Sequence, residues 1–456
     1  MSNPESEFPE LAGVATYGGA ARIGFSVDEN VRRLLRYHWV ERRLMAILVA
    51  HLTSEPVWEV KCALALHQWL SAEHVDALRR RITEMRNPVP RLDALPENDP
   101  TAGALDAFLD QIDAARDTEE LIAGVYAVLY PALSDAYRDH IERTNPLVDH
   151  PTRRLLKFAL IDVEEARAWS AHARSGAQSA EGRAWREQLM AYLAAAGGVA
   201  GDLAVIPVDT TLYAPRSALR AFHPRRDARF HGRYNFEFAP HIVYSMPEVP
   251  ADERNLALLC KRALEMDVPE MMASFMTERA DQPWEFYRDY SRQLWDEARH
   301  AMMGTVALEA RGIDWKTDIP LNVSFALRLN LHATPIERQT MLYAIEQSLM
   351  PGETGKRYEY ETAVAAGDAL SAHFHDYDWA DEVLHAQIGR RMLKREGISS
   401  NDAHERAKGI HEKTWAALDQ YRSLDEQRDW WPDFVRKVLG RESAAGARPE
   451  LNIFSE

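Results

Sequence analysis

Two five-residue stretches carry residue types that can do chemistry: Asp296-Glu297-Ala298-Arg299-His300 and Asp381-Glu382-Val383-Leu384-His385. On a helix, residues i and i+3 share a face, so Glu297 points with His300 and Glu382 with His385. Each pair sets a carboxylate beside an imidazole one turn away, which is half of a metal site. Two such pairs, joined by carboxylates from other helices, can enclose a dinuclear iron or manganese centre in a helical bundle. One Glu-x-x-His arises by chance in many helical proteins, whereas two, each preceded by Asp and set in a long helical pattern, are a stronger signal. The competing reading is a pair of solvated, salt-bridged helix faces.

The pattern around these stretches is helical throughout, and the fold class read from it is all-α. Val31, Leu34, Leu35, Trp39, Leu44, Ile47 and Leu48 recur at steps of three and four, predicting a helix from Asp28 to about Leu52. A second helix is predicted from Pro56 to about Met85, followed by an extended loop at Pro88, Pro90 and Pro96. A third, split around Pro131, covers about Thr118 to Glu142, and a fourth runs from Pro151 to about His172. Helices resume at Asp252, with one to about Thr277 and one opened by Pro283 that carries Glu297 and His300. Another begins near Pro335 and kinks at Pro351-Gly352; the next, after Gly367, carries Glu382 and His385 and ends near Glu396-Gly397. A last helix over about Asn401 to Ser423 and the segment Trp430 to Leu439 lie outside this set.

Composition narrows the function. The chain has 456 residues, too many for one small core, and 46% of them are hydrophobic, as in ordinary globular proteins. A formal charge of -16 argues against nucleic acid as a partner, since phosphate binding needs a basic stripe. Cys62 and Cys260 stand far apart, which excludes a disulfide framework and a thiolate zinc site. Glu5, Glu7 and Glu10 stand where a signal peptide would be basic and then apolar, and no run of about 18 apolar residues occurs. The expectation is a cytoplasmic protein with no membrane span.

The halves of the chain also match one another. Trp58-Glu59 with Trp69 repeats as Trp284-Glu285 with Trp295 at a constant offset, which lays Ser71-Ala72-Glu73-His74 on Glu297-Ala298-Arg299-His300. Leu129-Tyr130-Pro131-Ala132 likewise matches Leu349-Met350-Pro351-Gly352. With the two Glu-x-x-His motifs, this pattern resembles the ferritin-like superfamily of di-iron and di-manganese carboxylate proteins. The resemblance implies two tandem four-helix bundles. Residues 1–26 form an irregular lead-in, 27–196 a first bundle, 197–250 a Pro- and Arg-rich linker, 251–397 a second bundle and 398–456 a helical extension. It also implies a ligand set in which Glu297, His300, Glu382 and His385 are joined by a helix-one carboxylate and a helix-three carboxylate. Glu265 fits the first of these, with Asp267 and Glu270 as rivals, and Glu346 fits the second, with Glu353 as rival. In the first half Glu41, His74 and Glu165 survive, but Ser71 stands where Glu is needed, Tyr126 lies opposite Glu346, and Ala168 replaces a histidine. That half is expected to be a degenerate copy, with His67 as a histidine better explained by burial or solvent than by metal. In related di-iron enzymes the aspartates at the positions of Asp296 and Asp381 accept the free N–H of a ligand histidine on a neighbouring helix.

The resemblance implies two iron ions, or iron and manganese, or manganese, and an oxidase or oxygenase that uses O₂ on a small organic substrate. Two alternatives stand beside it: a ferroxidase or iron-handling protein, and a helical protein that binds partners without catalysis. A homodimer is a further expectation. Arg216, Arg220, Arg225, Arg226, Arg229 and Arg233 read as a linker over acidic surface, or more sharply as a dock for an anionic substrate group. Gly352-Glu353-Thr354-Gly355-Lys356 is excluded as a phosphate loop, because Met350 and Arg357 stand where Gly and Ser or Thr are needed. His373, Phe374, His375 and Asp376 read as capping or exposed residues, and Tyr287, Tyr290, Trp295, Met303 and Tyr343 as plain core.

Overall fold

The computed structural model describes residues 8–85, 92, 99–173 and 179–449, and every regular element among them is helical. The predicted loop at Pro88, Pro90 and Pro96 lies outside the described residues. Contacts divide the chain into two compact units, Met1–Ile47 with Leu70–Arg220, and Leu48–Trp69 with Ala221–Glu456. None of the described helices is long and apolar enough to cross a membrane.

Helices α1 (Val27–Leu52) and α2 (Trp58–Glu84) each contribute to both units. The first unit continues with α3 (Ala102–Asp113), α4 (Thr118–Gly124), α5 (Tyr130–Arg143), α6 (His150–Ala173) and α7 (Ala180–Ala195). Pro131 does not split the helix here. Its missing N–H is absorbed by a π turn over Val125–Leu129, in which the Tyr130 N–H reaches back to the Val125 carbonyl and the helix stays continuous. Helices α3 and α7 are additions to the sequence reading. In α3 the signal is short: Leu105, Phe108, Leu109 and Ile112 are buried at steps of three and four, and α3 packs on α7.

In the second unit the predicted helix from Asp252 to Thr277 is two, α8 (Ala251–Leu264) and α9 (Asp267–Glu278). The reason is Pro269, which cannot donate to the Glu265 carbonyl four residues back and whose ring crowds it. Next come α10 (Trp284–Glu309), α11 (Ser324–His332), α12 (Pro335–Ser348), α13 (Lys356–Ala365) and α14 (Ala369–Arg395). The α8–α9 arm packs on α10 and on the α12–α13 arm, while α14 packs on α10 and on both α12 and α13. Four helical arms thus each face two others. Helix α15 (Ser400–Ala416) lies on α12, where Tyr343, Leu393, Ile398 and Ala403 form an apolar cluster, and α16 (Trp431–Leu439) follows. Burying each such large apolar side chain contributes roughly 1.5–3 kcal/mol.

Two glycines set the spacing of the arms. A Cβ at Gly304 on α10 would lie 2.4 Å from the Ala263 nitrogen on α8, so these helices approach backbone to backbone one turn from His300. A Cβ at Gly355 would lie 2.0 Å from the Leu349 carbonyl oxygen. Only glycine lets the Pro351–Gly355 loop fold back on the end of α12, and there the Lys356 N–H donates to that carbonyl at 3.0 Å. The loop thereby starts α13 with Lys356 pointing inward.

The arginine-rich segment is tied down by ion pairs. Arg216 meets Glu120 and Arg220 meets Asp113 in the first unit, while Arg226 meets Glu270 and Arg229 meets Glu59 and Asp227 in the second. Four of these six basic side chains are therefore already paired with acids.

Candidate metal centre

The second unit gathers its acids and imidazoles between the four arms. Helix α10 supplies Glu297 and His300, α14 supplies Asp378, Glu382 and His385, and α12 supplies Glu346. Glu265 comes from the break that Pro269 imposes between α8 and α9. Oxygen and nitrogen atoms of Glu297, Glu346, Glu382 and His385 lie within 4.8 Å of one another, as do those of Glu265, His300 and Asp378. A third such group, Glu359, His375 and Asp378, adjoins the second.

The two imidazoles are mounted alike. His385 Nε2 lies 3.4 Å from Asp296 Oδ2, and His300 Nε2 lies 3.2 Å from Asp381 Oδ2, each acid standing on the other histidine's helix partner. The two aspartates are anchored in turn by Arg299, which reaches both, and by Arg292, 2.8 Å from Asp296. With Nε2–H held by a carboxylate, the Nδ1 lone pair of each ring is aimed inward. His385 Nδ1 lies 3.1 Å from Glu297 Oε1 and 3.4 Å from Glu382 Oε2; His300 Nδ1 lies 3.2 Å from Asp378 Oδ1. Neither Nδ1 makes a well-aligned hydrogen bond, and nor does Glu382 Oε2, although each stands within ion-pair distance of a group of opposite character. Buried polar atoms are nearly always satisfied, so three convergent orphans fit a site for a cation.

The electrostatics say the same. Burial alone would lower the His300 pKa, but Asp378, Asp381 and Glu297 outweigh it and raise it to about 9. Burial also opposes protonation of His385, yet Asp296 and Glu297 lift its pKa well above the ordinary value. Burial, then the neighbouring Glu382 and Glu297, pushes the pKa of the Glu346 carboxyl well above the usual carboxylate range. Its other contact is Gln293, whose Nε2 donates at 3.0 Å. All three raised values have one cause, crowded negative charge that a divalent ion would offset, and binding would release any proton held there.

Basic side chains enter the same cluster. Lys356 Nζ lies 2.9 Å from Glu382 Oε1 and 3.0 Å from Asp378 Oδ2, and Arg262 contacts Asp378, Glu359 and Glu265 at 2.6, 2.8 and 2.7 Å. Lys261 adds a contact to Glu359 at 2.6 Å.

Of the candidates named from sequence, Glu265, Glu297, His300, Glu346, Glu382 and His385 all fall within these groups, with Asp296 and Asp381 behind the histidines. The rivals do not. Glu270 is buried between Lys61 and Arg226, Asp267 accepts the Phe325 N–H at 3.0 Å, and Glu353 is exposed. His375 departs from its reading as an exposed or capping residue: it is buried against Glu359 and Arg262, while His373 and Asp376 are exposed. Sequence reasoning does not find Asp378, Glu359 or Arg262, and it sets aside His375 and Lys356. For Asp378 a signal existed, since it lies four residues before Glu382 and shares its helix face.

In the first unit His74 lies between Glu41 and Asp162, with Nδ1 3.0 Å from Glu41 Oε1 and Nε2 3.0 Å from Asp162 Oδ2. Tyr137 donates its hydroxyl to the same Glu41 oxygen at 2.7 Å. Glu165 does not take part; it is exposed, and the acid facing His74 from α6 is Asp162, one turn earlier. His67 is buried, and burial pushes its pKa down to about 4. Compared with family models, with curated proteins and with solved structures, the chain matches none.

Proposed function

We propose that the second unit is a ferritin-like metal domain, that the first is its degenerate copy, and that the protein is a non-haem metal-dependent oxidase or oxygenase using O₂ on a small organic substrate. The observation that carries this reading is the pair of imidazoles, each fixed at Nε2 by an aspartate and turned toward buried carboxylates with an Nδ1 that makes no well-aligned hydrogen bond. Glu297, Glu346, Glu382 and His385 would hold one ion, and Glu265, His300 and Asp378 a second. Iron and manganese suit such a mixed oxygen and nitrogen donor set, and when bound they supply redox chemistry that can use O₂ as oxidant. The chain's own part is to hold the donors rigidly: Asp296 and Asp381 fix the ring orientations, Gln293 holds Glu346, and the arms bury the cluster from water.

The test is metal analysis of protein purified without chelators, followed by O₂ uptake with candidate substrates. Stoichiometric metal and uptake that depends on an organic co-substrate are expected. Protein that retains no iron or manganese would remove the reading, and hundreds of iron atoms mineralised per assembly would replace the enzyme with a storage protein.

A further inference from the structure

The two ligand groups of the second unit differ in what already neutralises them. The group of Glu297, Glu346, Glu382 and His385 meets one basic side chain, Lys356, at Glu382 Oε1. The group of Glu265, His300 and Asp378 meets two. Lys356 Nζ lies 3.1 and 3.0 Å from the two oxygens of Asp378, and Arg262 lies 2.7 and 2.6 Å from the same two oxygens while also holding Glu265. Asp378 therefore has both oxygens engaged by Lys and Arg side chains, whereas Glu382 Oε2 meets no Lys or Arg among the described residues and faces His385 Nδ1 at 3.4 Å.

Lys356 is fixed in place. It is 1% exposed, and the Gly355 turn commits the backbone just before it.

Charge leads to the same asymmetry. With the carboxylates ionised and the imidazoles neutral, as metal ligands must be, six buried or near-buried carboxylates (Glu265, Glu297, Glu346, Glu359, Asp378 and Glu382) face Lys261, Arg262 and Lys356, which leaves three formal negative charges. One divalent ion leaves this set net negative by a single charge. A second would make it net positive unless a basic group moved away or an anion entered, and uncompensated buried charge is costly.

Building on the metal reading above, we propose that Lys356 is a resident cation of this centre that makes metal loading ordered and unequal. The first ion enters among Glu297, Glu346, Glu382 and His385. The second must displace the Lys356 ammonium from Asp378, so it binds weakly, and Lys356 controls whether the centre holds one ion or two.

The experiment is anaerobic titration of the metal-free full-length chain with Mn(II), followed by calorimetry and by electron paramagnetic resonance. The wild type is expected to bind one ion tightly, with an uncoupled six-line signal at one equivalent, and a second at least about 100-fold more weakly. Lys356→Met and Lys356→Gln should strengthen the second step by about 10-fold or more, while Lys356→Arg, which keeps the charge, should not. Two ions of equal affinity in the wild type would overturn the inference even if no variant folded. An unchanged second step in a folded Lys356→Met protein would overturn it as well. Absence of Mn(II) binding in wild type and variants alike would strike down the metal reading and this inference with it, a result distinct from binding two equal ions.

Discussion

Both units bury a histidine between acids, and the two surroundings differ in how they close. Around His74 each ring nitrogen faces one carboxylate, and the remaining polar partner is a phenol, Tyr137, which donates to Glu41. Burial and the nearby Glu41 hold the Tyr137 pKa well above the usual value, so it stays a neutral donor. Around His300 and His385 no phenol intervenes. Carboxylates crowd the rings from several elements, both Nδ1 atoms lack well-aligned hydrogen bonds, and basic side chains supply positive charge. Among the described residues, every group of three or more acids and histidines close enough to share an ion lies in the second unit. A phenol satisfies a buried carboxylate without bringing charge, whereas a cluster of acids demands a cation.

The sharpest way to break this contrast is to delete matching residues on both sides. Glu297→Ala or His385→Ala should remove most of the bound metal, while His74→Ala should leave metal content unchanged in folded protein. Equal losses from both sides, measured by elemental analysis, would mean that the first unit is also an ion site.

A smaller effect is expected one layer out. Asp296→Asn and Asp381→Asn keep the direct ligands but weaken the acceptor at Nε2, so metal affinity should fall by about 10- to 100-fold. Unchanged affinity in both variants would show that the rings are oriented by packing alone.

The first unit should reveal itself through pH and not through metal. Burial lowers the His74 pKa, but Glu41 and Asp162 outweigh it and raise it from 6.5 to about 9 in the folded state. A raised folded pKa means that the stabilising contribution is complete below the unfolded value of about 6.5 and is lost as pH climbs through about 9; its ceiling is about 3 kcal/mol. Urea unfolding followed from pH 6 to pH 10 should show this loss in the wild type and not in His74→Gln, and parallel curves would contradict it. Tyr137→Phe should cost least, about 1 kcal/mol for one buried hydrogen bond.

Helical periodicity and the i, i+3 spacing made the helices and the Glu297–His300 and Glu382–His385 pairs legible before any coordinates. What local pattern could not show is what other elements bring to the cluster. Lys356 sits in a glycine-rich turn whose sequence resembles a failed phosphate loop, and only the return of that turn onto Leu349 aims its side chain inward. Glu265 looked like a mid-helix residue until Pro269 ended the helix there. Glu165 and Asp162 differ by one turn of α6, and rotation about that helix decides which faces His74. His375 reads from sequence as a capping or exposed residue, whereas its burial depends on Arg262 and Glu359 from two other helices.

Anomalous diffraction at the manganese edge, from crystals of the full chain grown with Mn(II), tests the central claim most directly. The account predicts a peak among Glu297, Glu346, Glu382 and His385 in the second unit, and none beside His74. A peak between Glu41 and Asp162, or no peak in either unit, would contradict it.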